Sequence, residues 1–168
     1  MPTVPETNLA SRSATVIGGF SHVDPPSGLV WLPLTMPYKI DPDVLHKVAT
    51  QVVSLPLENG ELITRTIEAL ADEYPDLIEP TPGRWVGSKA GGILGKVRFL
   101  FFSPREYIVI FGSPTGTQGF SGRYKHVDVH KFLMAGQIDW YDIESDDIRA
   151  ATLMPGEHAH MVRGHARG

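Results

Sequence analysis

Apolar residues recur at helical spacing in two stretches of the chain, and this pattern predicts two helices. The first begins at Asp41-Pro42, because aspartate is a favourable N-cap and proline at the first helical position loses no needed hydrogen bond. It ends near Pro56, and the second helix runs from about Glu61 to Tyr74, where a proline follows. The apolar stripes are Leu45, Val48, Ala49 and Val52 in the first helix, and Ile63, Ile67, Leu70 and Tyr74 in the second.

Beyond Trp85 the pattern changes to short runs that are dense in aromatic and β-branched residues, which is typical of buried strands. Turn residues separate these runs, and regular short strands with turns between them favour a sandwich or a barrel. The predicted strands are 96–102, 107–111, 131–134, 137–141, 148–154 and 158–162.

Residues 1–37 contain six prolines and predict an extended N-terminal arm, with one short strand near residues 30–32. Residues 38–168 are expected to form one domain of helices and strands, since a chain of 168 residues is long enough for one substantial core. The chain ends directly after the strand predicted at 158–162, so we expect a barrel without its closing strand.

The composition excludes several classes of protein. The net charge of −4 and the lack of a basic block argue against nucleic-acid binding. The absence of cysteine excludes disulfides, thiolate nucleophiles and thiolate zinc sites. No run approaches the roughly 18 apolar residues of a membrane helix, and the N-terminus lacks the order of a signal peptide. We therefore expect a soluble protein, for instance a cytoplasmic one, or one in peripheral contact with a membrane.

Two clusters contain residues that can carry chemistry. Alternation along an extended strand would put His126, Asp128 and His130 on one face, where they can act as acid and base, or form a solvated strand edge. His158 and His160 form a His-x-His pair like the start of a cupin metal site, but no acid follows them. A zinc or iron site formed by the two histidine pairs is the less favoured interpretation.

Several motifs occur in a fixed order between Tyr38 and Arg163. They are Tyr38-x-x-Asp-Pro-x-Val-Leu45, Glu73-Tyr74-Pro75, Trp85-Val86 followed by Ala90-Gly91-Gly92-x-x-Gly95, Glu106-Tyr107-x-x-x-Phe111-Gly112, Gly116-Thr117-x-Gly119-x-Ser121-Gly122-Arg123-Tyr124, and Pro155-Gly156 followed by His160. This series resembles the family of fungal sterol Δ8–Δ7 isomerases and sigma non-opioid receptors.

The resemblance implies a mainly β fold with N-terminal helices, of the α+β class, in which a cupin-like β-barrel encloses an apolar pocket for a sterol or a hydrophobic amine. The barrel is expected to be C-terminally truncated, since the family continues with strands that carry a second essential carboxylate. The isomerases shift a ring double bond through a carbocation, for which buried carboxylates are suited. No cofactor and no metal is implied.

The resemblance also implies site residues. Asp128 falls on the acidic position after the glycine-rich loop, within one residue, because this chain has one extra residue between Arg123 and Gly136. Glu157 and Glu106 are acids that can substitute for the missing carboxylate. The catalytic candidates are Asp128, His160 and Glu157, and the substrate-binding candidates are Trp85, Phe99, Tyr107, Val109, Phe111 and His130.

Three functions follow from these observations. The leading hypothesis is an isomerase that shifts a ring double bond in a sterol or related terpenoid, with Asp128 as the main acid/base group. The alternative is a non-catalytic binder of sterols or hydrophobic amines of the sigma receptor type, and the third is a metal-dependent cupin. The resemblance further implies association with the endoplasmic reticulum membrane and a homo-oligomer, namely a trimer.

Overall fold

The computed structural model describes residues 13–21, 37–81, 83–90, 92–147 and 149–168. In chain order the elements are β1 (Ser13–Ser21), α1 (Pro42–Val53), α2 (Asn59–Glu73), β2 (Val86–Ala90), β3 (Ile93–Phe102), β4 (Glu106–Ser113), β5 (Val127–Ala135), β6 (Ile138–Trp140), β7 (Ala151–Leu153) and β8 (His158–Met161). The fold of the described residues is mainly β with two helices, as the sequence predicts. Both sheets are open in the described residues, so a closed barrel is not confirmed.

The two helices form where their caps and apolar spacing predict. The Asp41 carboxylate accepts a hydrogen bond from the Asp43 N–H at 2.9 Å and caps α1. The buried residues of α1 are Leu45, Val48, Ala49 and Val52, as predicted. In α2 the buried residues are Leu62, Thr66, Ile67, Leu70 and Ala71, while Ile63 and Tyr74 are only partly buried. Neither helix in the described part of the chain is long and apolar enough to span a membrane.

The larger sheet has six antiparallel strands in the order β2-β3-β4-β1-β5-β8, and β6 pairs with β7 in a second sheet. The sequence analysis did not predict β1, which lies in the middle of the sheet, because its Gly18-Gly19 pair weakens the strand signal. It also missed β2, which is short and polar. The strand expected near residues 30–32 lies outside the described residues.

The helices cover one face of the six-stranded sheet. Ile108 and Ile110 of β4, with Phe132 and Met134 of β5, join the helices in the main core. We call this the helix face. The residues that alternate with these four along β4 and β5 point to the other side of the sheet. One of them, Leu133, packs against Leu153, Ala159 and Ile138. We call this opposite face the far face.

The carboxylate of Glu106 in β4 forms hydrogen bonds that hold the chain before α1 against the sheet. Glu106 is 3% exposed, and it accepts hydrogen bonds from the backbone N–H groups of Lys39 at 2.7 Å and Ile40 at 3.2 Å. Ile40 belongs to the main core, so these bonds fix the chain immediately before α1. Glu106 thus has a structural role, and its carboxylate is not presented to the far face.

The last residues fold back on the molecule rather than leave the final strand unsupported. Tyr141 and Gly168 exchange two backbone hydrogen bonds of 3.1 and 3.2 Å, and the Ser121 N–H donates to the Arg167 carbonyl at 2.8 Å. The segment 164–168 therefore lies against residues 141–143. The second edge of β8 pairs with no other strand among the residues described.

We expect Glu106→Ala to lower the free energy of unfolding by about 2–4 kcal/mol, because two backbone donors lose a charged acceptor in a buried position. Urea denaturation of the purified chain measures this change. The matched control is Glu79→Ala at an exposed position, which should change stability by about 0.5 kcal/mol or less. Equal urea midpoints for the two variants would show that the Glu106 contact does not hold the helical layer.

Candidate functional site

Three histidines and one carboxylate meet on the helix face at the edge of the large sheet. The register pairs His130 of β5 with His160 of β8, and Phe132 with His158. Directly paired residues of antiparallel strands point to the same side, so His130, His158 and His160 adjoin one another. Asp128 lies two residues before His130 and therefore shares this face.

The histidine rings are stacked in series. The His130 and His160 rings are 4.2 Å apart at an angle of 16°. His130 Nδ1 and His158 Nε2 are 2.9 Å apart, so one ring donates its N–H and the other accepts on its lone pair. The His158 ring also stacks on Phe132 at 4.6 Å, and His46 of α1 lies 5.5 Å from it on the helix side.

This arrangement favours uncharged imidazoles. Burial, with the neighbouring His160 and His158, lowers the pKa of His130 to about 4. Burial also lowers the pKa of His158. At neutral pH these two rings are therefore neutral and are weak proton acceptors.

Asp128 is placed at the rim of this cluster. Its carboxylate accepts a hydrogen bond from the Arg163 N–H at 2.9 Å and lies 3.7 Å from His160 Nε2. The Asp128 side chain is 28% exposed, so water reaches the carboxylate. His126 does not join it, because the turn before β5 takes His126 out of the strand alternation that the sequence analysis assumed.

Four of the predicted pocket residues meet on the far face. Tyr107, Val109 and Phe111 alternate along β4, and Phe99 of β3 pairs with Val109. Phe99 is 54% exposed, whereas Val109 is 6% exposed. The Phe111 ring passes over Gly95, where an added Cβ would lie 2.5 Å from the ring. These four residues, which we call the apolar wall, form one continuous surface across two strands.

Trp85 and His130 lie on the other side of the sheet from the apolar wall. Trp85 packs against the main core under the Arg98 guanidinium, which is 4.9 Å from the ring centroid. Phe101 also turns to the helix face, because an irregularity between Phe99 and Phe101 interrupts the alternation of β3. The predicted substrate-binding set is therefore divided between two faces.

A groove of about 690 Å³ follows the second edge of β8. Trp140 and residues 151–153 form one side of the groove. The other side is formed by residues 156–160, which belong to β8 and to the turn before it. His46 and Arg167 complete the lining. Glu157 and His160 therefore line this groove. The Glu157 carboxylate accepts a hydrogen bond from the Met154 N–H at 2.7 Å, which stabilises the turn before β8.

Sequence reasoning missed two cations near this groove. The Arg167 guanidinium lies 3.5 Å from the Trp140 ring centroid and donates to the His160 carbonyl at 2.6 Å. Lys131 lies on the far face of β5, opposite Ala159. Burial, followed by the charge of Arg167, lowers the pKa of Lys131. The alternation around Lys131 could have indicated its face, whereas the position of Arg167 depends on the fold of the C-terminal segment.

In the described part of the chain, the four histidines proposed as metal ligands are not among the groups that bring three ligand atoms within 4.8 Å of one another. His130 Nδ1 and His158 Nε2 share a hydrogen bond of 2.9 Å instead. Asp142, Glu144 and His165 do bring ligand atoms within 4.8 Å of one another. Their carboxylates already have partners, since Glu144 pairs with Arg123 and accepts the Ala166 N–H.

We expect the stability of the protein to fall as the pH is lowered from about 6.5 towards 4. The unfolded chain binds a proton at His130 near pH 6.5, whereas the folded chain binds it only near pH 4. His130→Gln should reduce the stability difference between pH 7 and pH 5 by about 1 kcal/mol, a value reduced for the partial exposure of the ring. Urea midpoints measured at both pH values test this prediction, with the exposed His126→Gln as the control. If the His130 variant keeps the same stability difference between pH 7 and pH 5 as the unmodified chain, the prediction is wrong.

Comparison with known proteins adds evidence of ancestry. Residues 26–168 match the family described as ERG2 and Sigma1 receptor like protein. The C-8 sterol isomerase of Neurospora crassa is 28% identical over 132 residues, which are 76% of this chain and 49% of that protein. The Protein erg2 homolog of Dictyostelium discoideum is 32% identical over 98 residues, which are 58% of this chain and 40% of that protein.

A sigma receptor is also among the relatives of this chain. The Sigma non-opioid intracellular receptor 1 of Danio rerio is 32% identical over 110 residues, which are 65% of this chain and 48% of that protein. The chain thus spans about half the length of the curated relatives it matches. The resemblance found in the sequence motifs is confirmed, and the chain belongs to the ERG2 and Sigma1 receptor like protein family.

Proposed function

We propose that the protein binds a sterol or a related hydrophobic small molecule on the far face of the sheet. The observation that carries the proposal is the apolar wall of Phe99, Tyr107, Val109 and Phe111, which is continuous across two strands and partly open to solvent. Known binding sites for such ligands combine apolar and aromatic walls with few polar groups. Burying an exposed aromatic ring such as Phe99 under a ligand gives a favourable free energy.

Tyr107 supplies one polar group within this wall. Burial, with the neighbouring Tyr124, raises the pKa of Tyr107, so its hydroxyl keeps its proton at neutral pH. A protonated phenol can donate a hydrogen bond to a ligand oxygen or accept one from a ligand hydroxyl. Such a group would orient a sterol whose ring system lies on the apolar wall.

The position of Asp128 favours binding over catalysis. A carbocation on the apolar wall would need a carboxylate close to it, but Asp128 points to the helix face, where it lies near His160. Its carboxylate already accepts the Arg163 N–H. The far face of β5 instead presents Lys131, whose positive charge would destabilise a neighbouring cation.

The second candidate function is isomerisation of a sterol double bond by proton transfer at Asp128, His160 or Glu157. The relatives named C-8 sterol isomerase favour it. The 3.7 Å separation of the Asp128 carboxylate from His160 Nε2 also favours it, because an acid and a base at this distance can exchange a proton after a small movement. Association with the endoplasmic reticulum membrane and assembly into a trimer remain predictions from the resemblance.

We expect Phe99→Ala to weaken binding of a fluorescent neutral sterol by roughly tenfold, because the ligand loses an aromatic contact worth about 1–2 kcal/mol. Phe99 is half-exposed, so the variant should keep its fold. Fluorescence titration of the purified chain measures the affinity. Leu55→Ala, which removes an exposed apolar side chain beside α1, is the matched control, and equal affinities for the two variants would refute the apolar wall as the binding surface.

We expect a bound Δ8-sterol to be recovered unchanged after incubation with the protein. Gas chromatography with mass spectrometry of the extracted sterol measures conversion to the Δ7 isomer. The control variant is Asp128→Asn, which keeps an oxygen to accept the Arg163 N–H. Conversion by the unmodified chain, with a loss of about 100-fold or more in Asp128→Asn and retained sterol binding, would establish the second candidate instead.

A further inference from the structure

We infer that Lys131 and Arg167 form an anion subsite for a hydrophobic ligand that carries a carboxylate, on the far face where β5, β8 and the C-terminal segment meet. The inference rests on the proposed function, since the apolar part of the same ligand would lie on the far face of the sheet. It narrows the ligand class from neutral sterols or amines to hydrophobic carboxylic acids.

Lys131 is a cation among buried apolar side chains. Its neighbours on the same face of β5 are Val129 at 4% exposure and Leu133 at 0%. Across the register it pairs with Ala159, which lines the groove. In the parts of the chain described, no carboxylate forms an ion pair with the Lys131 ammonium.

Arg167 is a second cation with unused hydrogen-bonding capacity. The residue is 9% exposed, and its guanidinium lies against Trp140 on one side and donates to the His160 carbonyl. Its buried Nε has no hydrogen-bond partner. The nearby acid is Asp142, but its carboxylate receives the Glu144 N–H and the His165 ring instead of forming an ion pair with Arg167.

The two charges are costly in this environment. Burying an unpaired cation, or leaving a buried N–H without an acceptor, is unfavourable, and two neighbouring cations also repel each other. Lys131 pairs with Ala159 of β8, and the Arg167 guanidinium donates to the carbonyl of the next residue, His160, so both side chains approach the same part of β8. In keeping with this, the charge of Arg167 lowers the pKa of Lys131. A single carboxylate can neutralise both, because it has two oxygens that accept several hydrogen bonds.

The groove offers the route by which such a ligand reaches Arg167. Its volume of about 690 Å³ is within the usual range for small-molecule sites. Trp140 and Leu153 line this route, and the body of the ligand would lie beyond it on the apolar wall. A cationic amine would meet two like charges at this point, so the subsite selects against the amines that the family resemblance implies.

The test compares a steroid carboxylic acid with its methyl ester, which has the same ring system and no charge. Each competes with a fluorescent neutral sterol for the purified chain. We expect the acid to compete at least tenfold better than the ester at pH 7.5. In Lys131→Met, which keeps most of the length and the apolar stem of the side chain, we expect the preference to fall below threefold while the ester binds as before.

Arg167→Lys tests the second cation, with thermal denaturation to establish that each variant is folded. We expect this variant also to lose most of its preference for the acid, because lysine cannot supply the Nε–H. If the acid and the ester compete equally in the unmodified chain, or Lys131→Met retains the preference, the anion subsite is refuted although sterol binding stands. If neither compound competes and the fluorescent sterol does not bind, the proposed function itself fails.

Discussion

Side-chain alternation along β5 determines the chemistry of both faces of the sheet, because consecutive residues of an extended strand point to opposite sides. Asp128 and His130 are directed to the helix face by this constraint, whereas Lys131 is directed to the far face. The register with β8 extends the division, since His160 lies opposite His130. As a result, Asp128 and His130 lie on the opposite face of the sheet from the apolar wall and from Lys131.

Much of the fold could be predicted because its signals are local. The cap at Asp41 and the apolar stripe of α1 lie within one short segment, and the runs that form β3 and β4 are rich in aromatic and β-branched residues. The central strand β1 could not be predicted in this way. Its Gly18-Gly19 pair lowers strand propensity, and its position between β4 and β5 depends on pairing with residues about 90 to 120 positions away.

The candidate site was predictable only where a single strand determines it. Tyr107 and Phe111 share a face because they are four residues apart on one strand. Trp85 does not join them, because it packs into the core beneath the helices, which no local pattern reveals. Arg167 was missed because its contact with Trp140 depends on the C-terminal segment folding back across the molecule. Local periodicity therefore identifies which residues of one strand share a face. The packing of distant segments determines which other residues lie next to them.

The two-residue period of β5 also has an evolutionary consequence. Asp128 and Lys131 of β5 point to opposite faces of the sheet. A one-residue shift in the register of a strand sends each of its side chains to the opposite face. A single codon gained in β5, where no bulge absorbs the extra residue, can therefore exchange an acid for a base at a binding surface, with no side chain substituted. Within such a lineage, a change of ligand charge can arise in one mutational event, ahead of any gradual adjustment of the surrounding residues.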